Sequence, residues 1–384
     1  MPTYLDYAAT TPVHPDVLAA MRPYFTEHFG NPSSIHRYGQ RAEHALEMAR
    51  ERIAGCLGAR PDEIVFTSCG SESDNLALRG AAFAARRDRH ANHILISPVE
   101  HHAVTHTAEQ LAGVHGFELE FLPVDEFGKV DPEDVAARLR PDTAVVSVIL
   151  ANNEIGTVNP VPVIAAVCRE AGVPFHTDAV QAGAHLRLDV EALGIDLLAL
   201  GAHKFYGPKG VGTLYVRDGT PLVPTQTGGG QERGLRAGTS NIPYIVGIAA
   251  AFERAQADLP AHRSRVLPLR DLLIGSVLET IPDAALTGHP IDRLPNHASF
   301  AFKGVDGNAL LMNLDVAGYA CSSGSACKTG LPEPSDVLIA IGLDPGWALG
   351  SLRVTLGSAT TPEEISGFLQ VLPQAVENLR LPAV

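Results

Sequence analysis

The segment Ala202-His203-Lys204-Phe205-Tyr206-Gly207-Pro208 follows an apolar run, Asp196–Leu200, that reads as a strand, so Lys204 is expected just past a strand end. A lysine held against apolar walls has its charged form disfavoured, and the neutral amine is a nucleophile able to form a Schiff base. Taken alone, Lys204 is equally a surface residue in a Gly/Pro-rich turn. Two other strand ends carry complementary chemistry. The run Val173–Thr177 stops at Asp178 and continues through Ala179-Val180-Gln181. A carboxylate there either caps the next turn or pairs with a protonated ring nitrogen. Ile64–Thr67 leads into Ser68-Cys69-Gly70-Ser71-Glu72-Ser73, where a helical pattern opens. Free backbone N–H groups and hydroxyls at such a place cradle a phosphate, or Ser71 or Ser73 forms an ordinary cap. A fourth feature is Cys327, in the small-residue run Ser322-Ser323-Gly324-Ser325-Ala326-Cys327-Lys328. An adjacent cation favours thiolate, so this thiol is expected to be reactive, whereas Cys56 and Cys168 read as packed.

The elements that must position these groups alternate along the chain. Strand-like runs cover Ile64–Thr67, His93–Ser97, Phe117–Leu122, Ala144–Leu150, Val173–Thr177, Asp196–Leu200 and Val211–Val216. Helical patterns at Ser73–Arg87, Val104–Gly113 and Val161–Ala171 separate several of them. Near-continuous apolar strands divided by helices predict an α/β fold, a large domain with a mostly parallel sheet flanked by helices. Right-handed crossovers then bring the strand C-termini, and their ligand-binding loops, to one edge. After about Ala250 the pattern changes to one long helix, Ala251–Thr280, with shorter strands near Ala298–Phe302 and Leu352–Leu356 and helices at Ser335–Gly342 and Pro362–Leu379. This predicts a smaller α+β domain. The expected division is 15–260 for the large domain and 1–14 with 261–384 for the small one, which carries the cysteine loop at about 321–334.

A phosphate cradle, a strand-end Asp and a strand-end Lys are the fixtures of a pyridoxal phosphate (PLP) site. With them in view the sequence resembles, nearly end to end, the cysteine desulfurases of the class V aminotransferase superfamily, of the type serving iron–sulfur cluster assembly. The resemblance is carried by Tyr4-Leu5-Asp6-Tyr7-Ala8-Ala9-Thr10-Thr11-Pro12, Gly30-Asn31-Pro32-Ser33-Ser34, Phe66-Thr67-Ser68, Glu72-Ser73-Asp74-Asn75 and Glu100-His101. Asn152-Asn153-Glu154-Ile155-Gly156, His203-Lys204, Glu232-Arg233-Gly234 and Ser322-Ser323-Gly324-Ser325-Ala326-Cys327 complete it. The resemblance implies that Lys204 holds the cofactor, Asp178 pairs with the ring nitrogen, Gln181 donates to the 3′-oxygen and His101 stacks on the ring. It implies phosphate contacts from Gly70, Ser71 and His203, and from Thr239 of a neighbouring subunit, hence a homodimer. Asn153 and Arg353 match substrate-binding positions; a guanidinium fork suits the carboxylate of L-cysteine. Cys327 takes the substrate sulfur as a persulfide, leaving alanine, and passes it to a sulfur-acceptor or iron–sulfur scaffold protein. Lys204 is the base at Cα, and His101, with a pKa near neutrality, moves protons. The chain departs from the family at Gly201, where Ser is common as a phosphate ligand, and at Cys69 and Cys321. Cys321 is either a packed small side chain or a second thiol able to trap the persulfide. Selenocysteine lyases share the scaffold and the Gly at 201, though the Ser/Gly run around Cys327 favours the desulfurase. An aminotransferase or decarboxylase on the same fold would give Cys327 no task.

Composition narrows the partners. The 384 residues contain 29 Lys+Arg against 43 Asp+Glu, a formal net charge of −14. That balance argues against nucleic acid or an anionic membrane surface, both of which need clustered cations. Five Cys without regular spacing or a C-x-x-C pair exclude a disulfide framework and a structural zinc site, and no metal is expected. The first residues lack a basic stretch followed by an apolar one, so no secretory signal is expected, and a reducing, cytoplasmic setting follows.

Overall fold

A computed structural model describes residues 2–323 and 333–380. After a short strand β1 (Thr3–Tyr4), the chain builds β2 (Ile64–Thr67), β3 (His93–Ile96), β4 (Glu118–Phe121), β5 (Thr143–Ser147), β6 (Phe175–Asp178), β7 (Leu197–Gly201) and β8 (Gly212–Val216). These seven later strands form one sheet in the order β2-β8-β7-β6-β5-β3-β4. All neighbours are parallel except β8, which runs antiparallel to both β2 and β7. The exception has a local cause. Only the turn from Ala202 to Val211 joins β7 to β8, and a parallel return needs a longer crossover, usually a helix. Every residue of β5, β6 and β7 is buried, which is why these strands read as near-continuous apolar runs.

Helices cover both faces. Arg37–Leu57, Val161–Glu170 and the start of Ile242–Thr280 pack on one side, Gly70–Arg89 and His102–His115 on the other. Ile242–Thr280 then leaves this core. Its residues Ile245, Ile248 and Phe252 belong to the sheet's core, whereas Val266, Leu269, Leu273 and Val277 belong to a second one. Pro260, which has no backbone N–H to donate, lies between the two sets. The second core gathers β10 (His297–Phe302) and β12 (Ser351–Thr355), which pair antiparallel, with helices Gly307–Val316 and Pro362–Leu379. β9 (Ala284–Leu286) adds to the free edge of β10, and β11 (Tyr319–Ala320) pairs in parallel with β1, bringing Leu5 into this core.

The long helix starts at Ile242 rather than Ala251. Asn241 caps it by accepting from Tyr244 N, and Pro243 suits the first turn, a start signal that the apolar run behind it obscures. Helix Arg37–Leu57, absent from the sequence reading, is held by an apolar stripe of mostly small residues, Ala42, Ala45, Ala49, Ile53 and Leu57. No helix among the described residues is long and apolar enough to cross a membrane.

Candidate active site

The C-terminal ends of β2, β6 and β7 meet at one edge of the sheet. There a cavity of about 230 Å³ is lined by Gly70, Ser71, His101, Asn153, Asp178, Gln181, His203, Lys204 and Arg353, nine of the side chains or backbones expected from sequence. Thr239 is not among them. It lines a separate cleft with Ser68, Arg236 and Asn241. Cys327 lies outside the described residues, but the chain on either side of it is tied to this site. Ser322 exchanges backbone hydrogen bonds with Arg353, and Ser335 Oγ donates to the Glu154 carboxylate, beside Asn153.

Lys204 ends the 3₁₀ turn Ala202–Lys204 that terminates β7. Its Nζ donates to the carbonyls of Ala8, 2.6 Å, and Ala9, 2.8 Å. Burial and the nearby Arg353 guanidinium take the amine from 10.5 down to about 8, so a useful fraction is neutral near physiological pH. Gln181 Nε2 shares the Ala8 carbonyl at 2.9 Å. The N-terminal segment thus grips both groups through backbone oxygens, a contribution with no side-chain signature in the sequence.

Asp178 is the last residue of β6 and is 4% exposed. Burial, then the nearby Asp74, raise its carboxyl to about 7, although Val180 N donates to Oδ1 at 2.8 Å. A buried carboxyl raised in this way is completed by a cation placed against it, such as a protonated ring nitrogen. Helix Gly70–Arg89 points its N-terminus into the same cavity. The cap is Cys69, whose Sγ accepts from Glu72 N at 3.4 Å, and neither Ser71 nor Ser73. Ser71 is therefore not spent on capping. Gly70 is required sterically, since a Cβ there would lie 2.7 Å from Val180 Cγ2. His203 Nδ1 meets Thr10 Oγ1 at 3.2 Å, and burial beside Lys204 lowers the ring to about 4, keeping it a neutral hydrogen-bonding group.

His101 caps helix His102–His115 by accepting from Ala103 N at its Nδ1, 3.1 Å. With Nδ1 so engaged, the neutral ring carries its proton on Nε2, and burial lowers the ring's affinity for a second one. Arg353, on β12, is more committed than its sequence context suggested. Nη2 pairs with Asp6 Oδ1 at 2.8 Å and Nη1 donates to the Asn153 carbonyl at 3.0 Å, while the buried Nε has no partner among the described residues. Cys321 packs against the second core, and burial raises its thiol far above the ordinary range, the behaviour of a packed side chain. Cys168 is buried in the first core and Cys56 packs against it.

Glu232, in Glu232-Arg233-Gly234, braces this edge from outside the cavity. It takes a bidentate pair from Arg50, at 2.8 and 3.0 Å, and accepts from Phe66 N on β2 at 2.9 Å. Sequence reasoning named Asp6 and Asp74 only as motif members and gave neither a part in the site. Asp74 lies one helical turn from Gly70, so the i, i+4 spacing was the signal that could have found it.

The arrangement can hold a flat cofactor bearing a phosphate, an aldehyde and a ring nitrogen, and can orient a substrate carboxylate. Comparison with known proteins agrees. The sequence matches the family described as Aminotransferase class-V over residues 3–368. It is 47% identical over 377 residues to a cysteine desulfurase IscS of Dictyoglomus turgidum, covering 98% of this chain and 95% of that one. A cysteine desulfurase IscS of Methanosarcina thermophila is also 47% identical, with 98% and 92% covered. Among solved structures, a NifS-like protein superposes with a TM-score of 0.91 at 36% identity, covering 99% of this chain and all of that one. A structure titled SspA in complex with cysteine gives 0.81 at 37% identity, with 92% and 98% covered.

Proposed function

The chain belongs to the cysteine desulfurases of the class V aminotransferase family, and on that premise we propose that it is a PLP-dependent enzyme taking sulfur from L-cysteine onto Cys327 as a persulfide and releasing L-alanine. The observation that carries this reading is the cavity in which a half-buried strand-end amine, a buried strand-end carboxyl and a helix N-terminus converge. These residues fit PLP. The N–H groups of Gly70 and Ser71, the Ser71 hydroxyl and His203 would hold its phosphate, Asp178 its ring nitrogen, Gln181 its 3′-oxygen, His101 its face and Lys204 its aldehyde carbon. When bound, PLP supplies an electron sink for the pair left on Cα after its proton is removed.

The chain's own groups supply the rest. Arg353, which lines the cavity and is held by Asp6, orients the cysteine carboxylate, with Asn153 beside it. Lys204 is the base at Cα, since an amine lowered to about 8 is both available to take a proton and able to return one near neutrality. His101 donates from Nε2 and keeps its orientation through Ala103 N. The Cys327 thiolate attacks the substrate sulfur, the C–S bond breaks with its electron pair leaving on carbon, and a proton completes alanine. The anchoring of Ser322 to Arg353 and of Ser335 to Glu154 supports placing that thiol within reach.

We also place the domain boundary at 260/261, where the long helix passes between cores, and assign a homodimer. Thr239 would serve a second subunit's phosphate. Leu18, Phe25, Phe29, Ile35 and Tyr38 are exposed, and Phe25 rests on Tyr244 at the start of the long helix; we take these side chains as the apolar contribution to that contact. The persulfide would pass to an acceptor or iron–sulfur scaffold protein in the cytoplasm, where a reactive thiol stays reduced. The purified protein should show the visible absorbance of bound PLP and form alanine from cysteine. Lys204→Ala should lose both, and a faster reaction with selenocysteine than with cysteine would favour the lyase. Light scattering should give twice the chain mass, and a monomer would remove the role for Thr239.

A further inference from the structure

We propose that Asp74 is a positioning residue: a buried carboxyl that stays protonated, donates its hydrogen bond to His176, and leaves Asp178 as the single anion at the cavity floor. The inference rests on the PLP reading above and deepens it. Asp74 is 1% exposed and its Oδ1 lies 3.4 Å from Nε2 of His176, which is fully buried. His176 in turn places Nδ1 2.9 Å from Ser147 Oγ. His176 and Asp178 alternate along β6 and so share one face of the sheet. Carboxylate oxygens of Asp74 and Asp178 and a ring nitrogen of His101 lie within 4.8 Å of one another.

Two buried carboxylates this close cannot both ionise cheaply, so the pair retains a proton. The surroundings decide which member keeps it. Asp178 receives Val180 N–H and faces Lys204 across the cavity, both of which favour its anion. Asp74 meets no Lys or Arg among the described residues, and the group facing its Oδ1 is the His176 imidazole. From the other elements, Glu100 and His101 precede helix His102–His115, Lys204 is held by the Ala8 and Ala9 carbonyls, and Arg353 is held by Asp6. Glu100 is itself buried, with Oε1 accepting from Ile149 N at 2.6 Å, and adds no positive charge. Burial pushes the Asp74 carboxyl far above its ordinary range and the His176 ring down to about 4. A neutral acid facing a neutral base is the state both favour. A proton on Asp74 also gives a partner to Asp74 Oδ1 and His176 Nε2, which otherwise have no hydrogen-bond partner among the described residues. The imidazole tautomer is then set, with Nδ1–H donated to Ser147.

The test is infrared difference spectroscopy with Asp74→Asn and Asp74→Ala, on the PLP-loaded protein and on the protein stripped of PLP. The expected result is a protonated-carboxyl C=O band at neutral pH that both substitutions remove. His176→Phe, which deletes the acceptor, should shift that band without abolishing it. Asn, an uncharged isostere that can still donate to His176, should retain PLP within about threefold, while Ala should weaken retention roughly tenfold or more. Ionisation of Asp74 at alkaline pH should weaken PLP retention in the unmodified protein, and Asp74→Asn should lose that alkaline limb. Absence of the band, or PLP loss as severe in Asp74→Asn as in Asp74→Ala, overturns the proposal. The stripped-protein spectrum needs no cofactor, so failure of the proposal is distinguishable from failure of the PLP reading.

Discussion

Replacing Lys204 with Met exposes what it costs to keep this amine in its site. The amine's fall from 10.5 to about 8 corresponds to about 3 kcal/mol against the charged form. Methionine, of similar length and no charge, removes that penalty. It also removes the hydrogen bonds to Ala8 and Ala9, each worth about 1 kcal/mol. Ala8 keeps the Gln181 bond, so the loss there is partial. The PLP-free Lys204→Met protein should therefore be more stable than its parent by about 1–2 kcal/mol at pH 7. Because folding lowers the group's affinity for protons, the penalty is complete below pH 8, shrinks between 8 and 10.5, and is absent above. The parent should gain stability across that window and the two proteins should converge or cross near its top. Urea unfolding of both, stripped of PLP, at pH 7 and pH 10 measures this. The same burial leaves about a quarter of the amine neutral at pH 7.5, against about one part in a thousand for an ordinary lysine, so the instability is coupled to reactivity. A Met variant less stable than its parent at pH 7, or a difference independent of pH, would refute the reasoning.

Gly201→Ser should tighten PLP binding roughly threefold to tenfold, because a Cβ there meets only ordinary contacts at 3.4 Å from Gly70 N and Val180 Cγ1 and the added hydroxyl joins the helix N-terminus. Fluorescence titration of the stripped protein would show it, and weaker binding would count against the space inferred. Cys321→Ala should leave desulfuration within about twofold, since its thiol is buried and held protonated. In a Cys327→Ala background, iodoacetamide at pH 7.5 should leave Cys321 unmodified; rapid labelling would contradict the packing. Arg50→Met should cost about 3–5 kcal/mol by leaving the Glu232 carboxylate buried without its partner, and adding Glu232→Gln should recover part of it. Denaturant midpoints of the single and double variants decide that point.

The strand pattern from Ile64 to Val216 was legible because strands buried on both faces need unbroken apolar runs, and β5, β6 and β7 have them. Lys204 and Asp178 were legible because strand ends are marked by a change of residue type. The direction of β8 was visible only as a connection too short for a crossover. What was not legible depends on the backbone or on distant chain. The Ala8 and Ala9 carbonyls that hold Lys204 have no side-chain signature, and Arg353 meets Asp6 across nearly the whole sequence. A cap by Ser71 or Ser73 stood in the sequence only as the alternative to a phosphate cradle, and the extended backbone before Gly70 puts the Cys69 sulfur in the capping position instead. Asp74 was read only as part of a motif, and its part in the site becomes visible once β6 brings His176 against it.

Mixing the PLP-loaded protein with L-cysteine, then measuring intact protein mass together with free alanine, tests the central claim most directly. The account predicts alanine and a mass increase of one sulfur atom, removed by reductant and mapped to Cys327, with neither formed by Cys327→Ala. Undiminished alanine from Cys327→Ala, or sulfur carried on another residue, would contradict it.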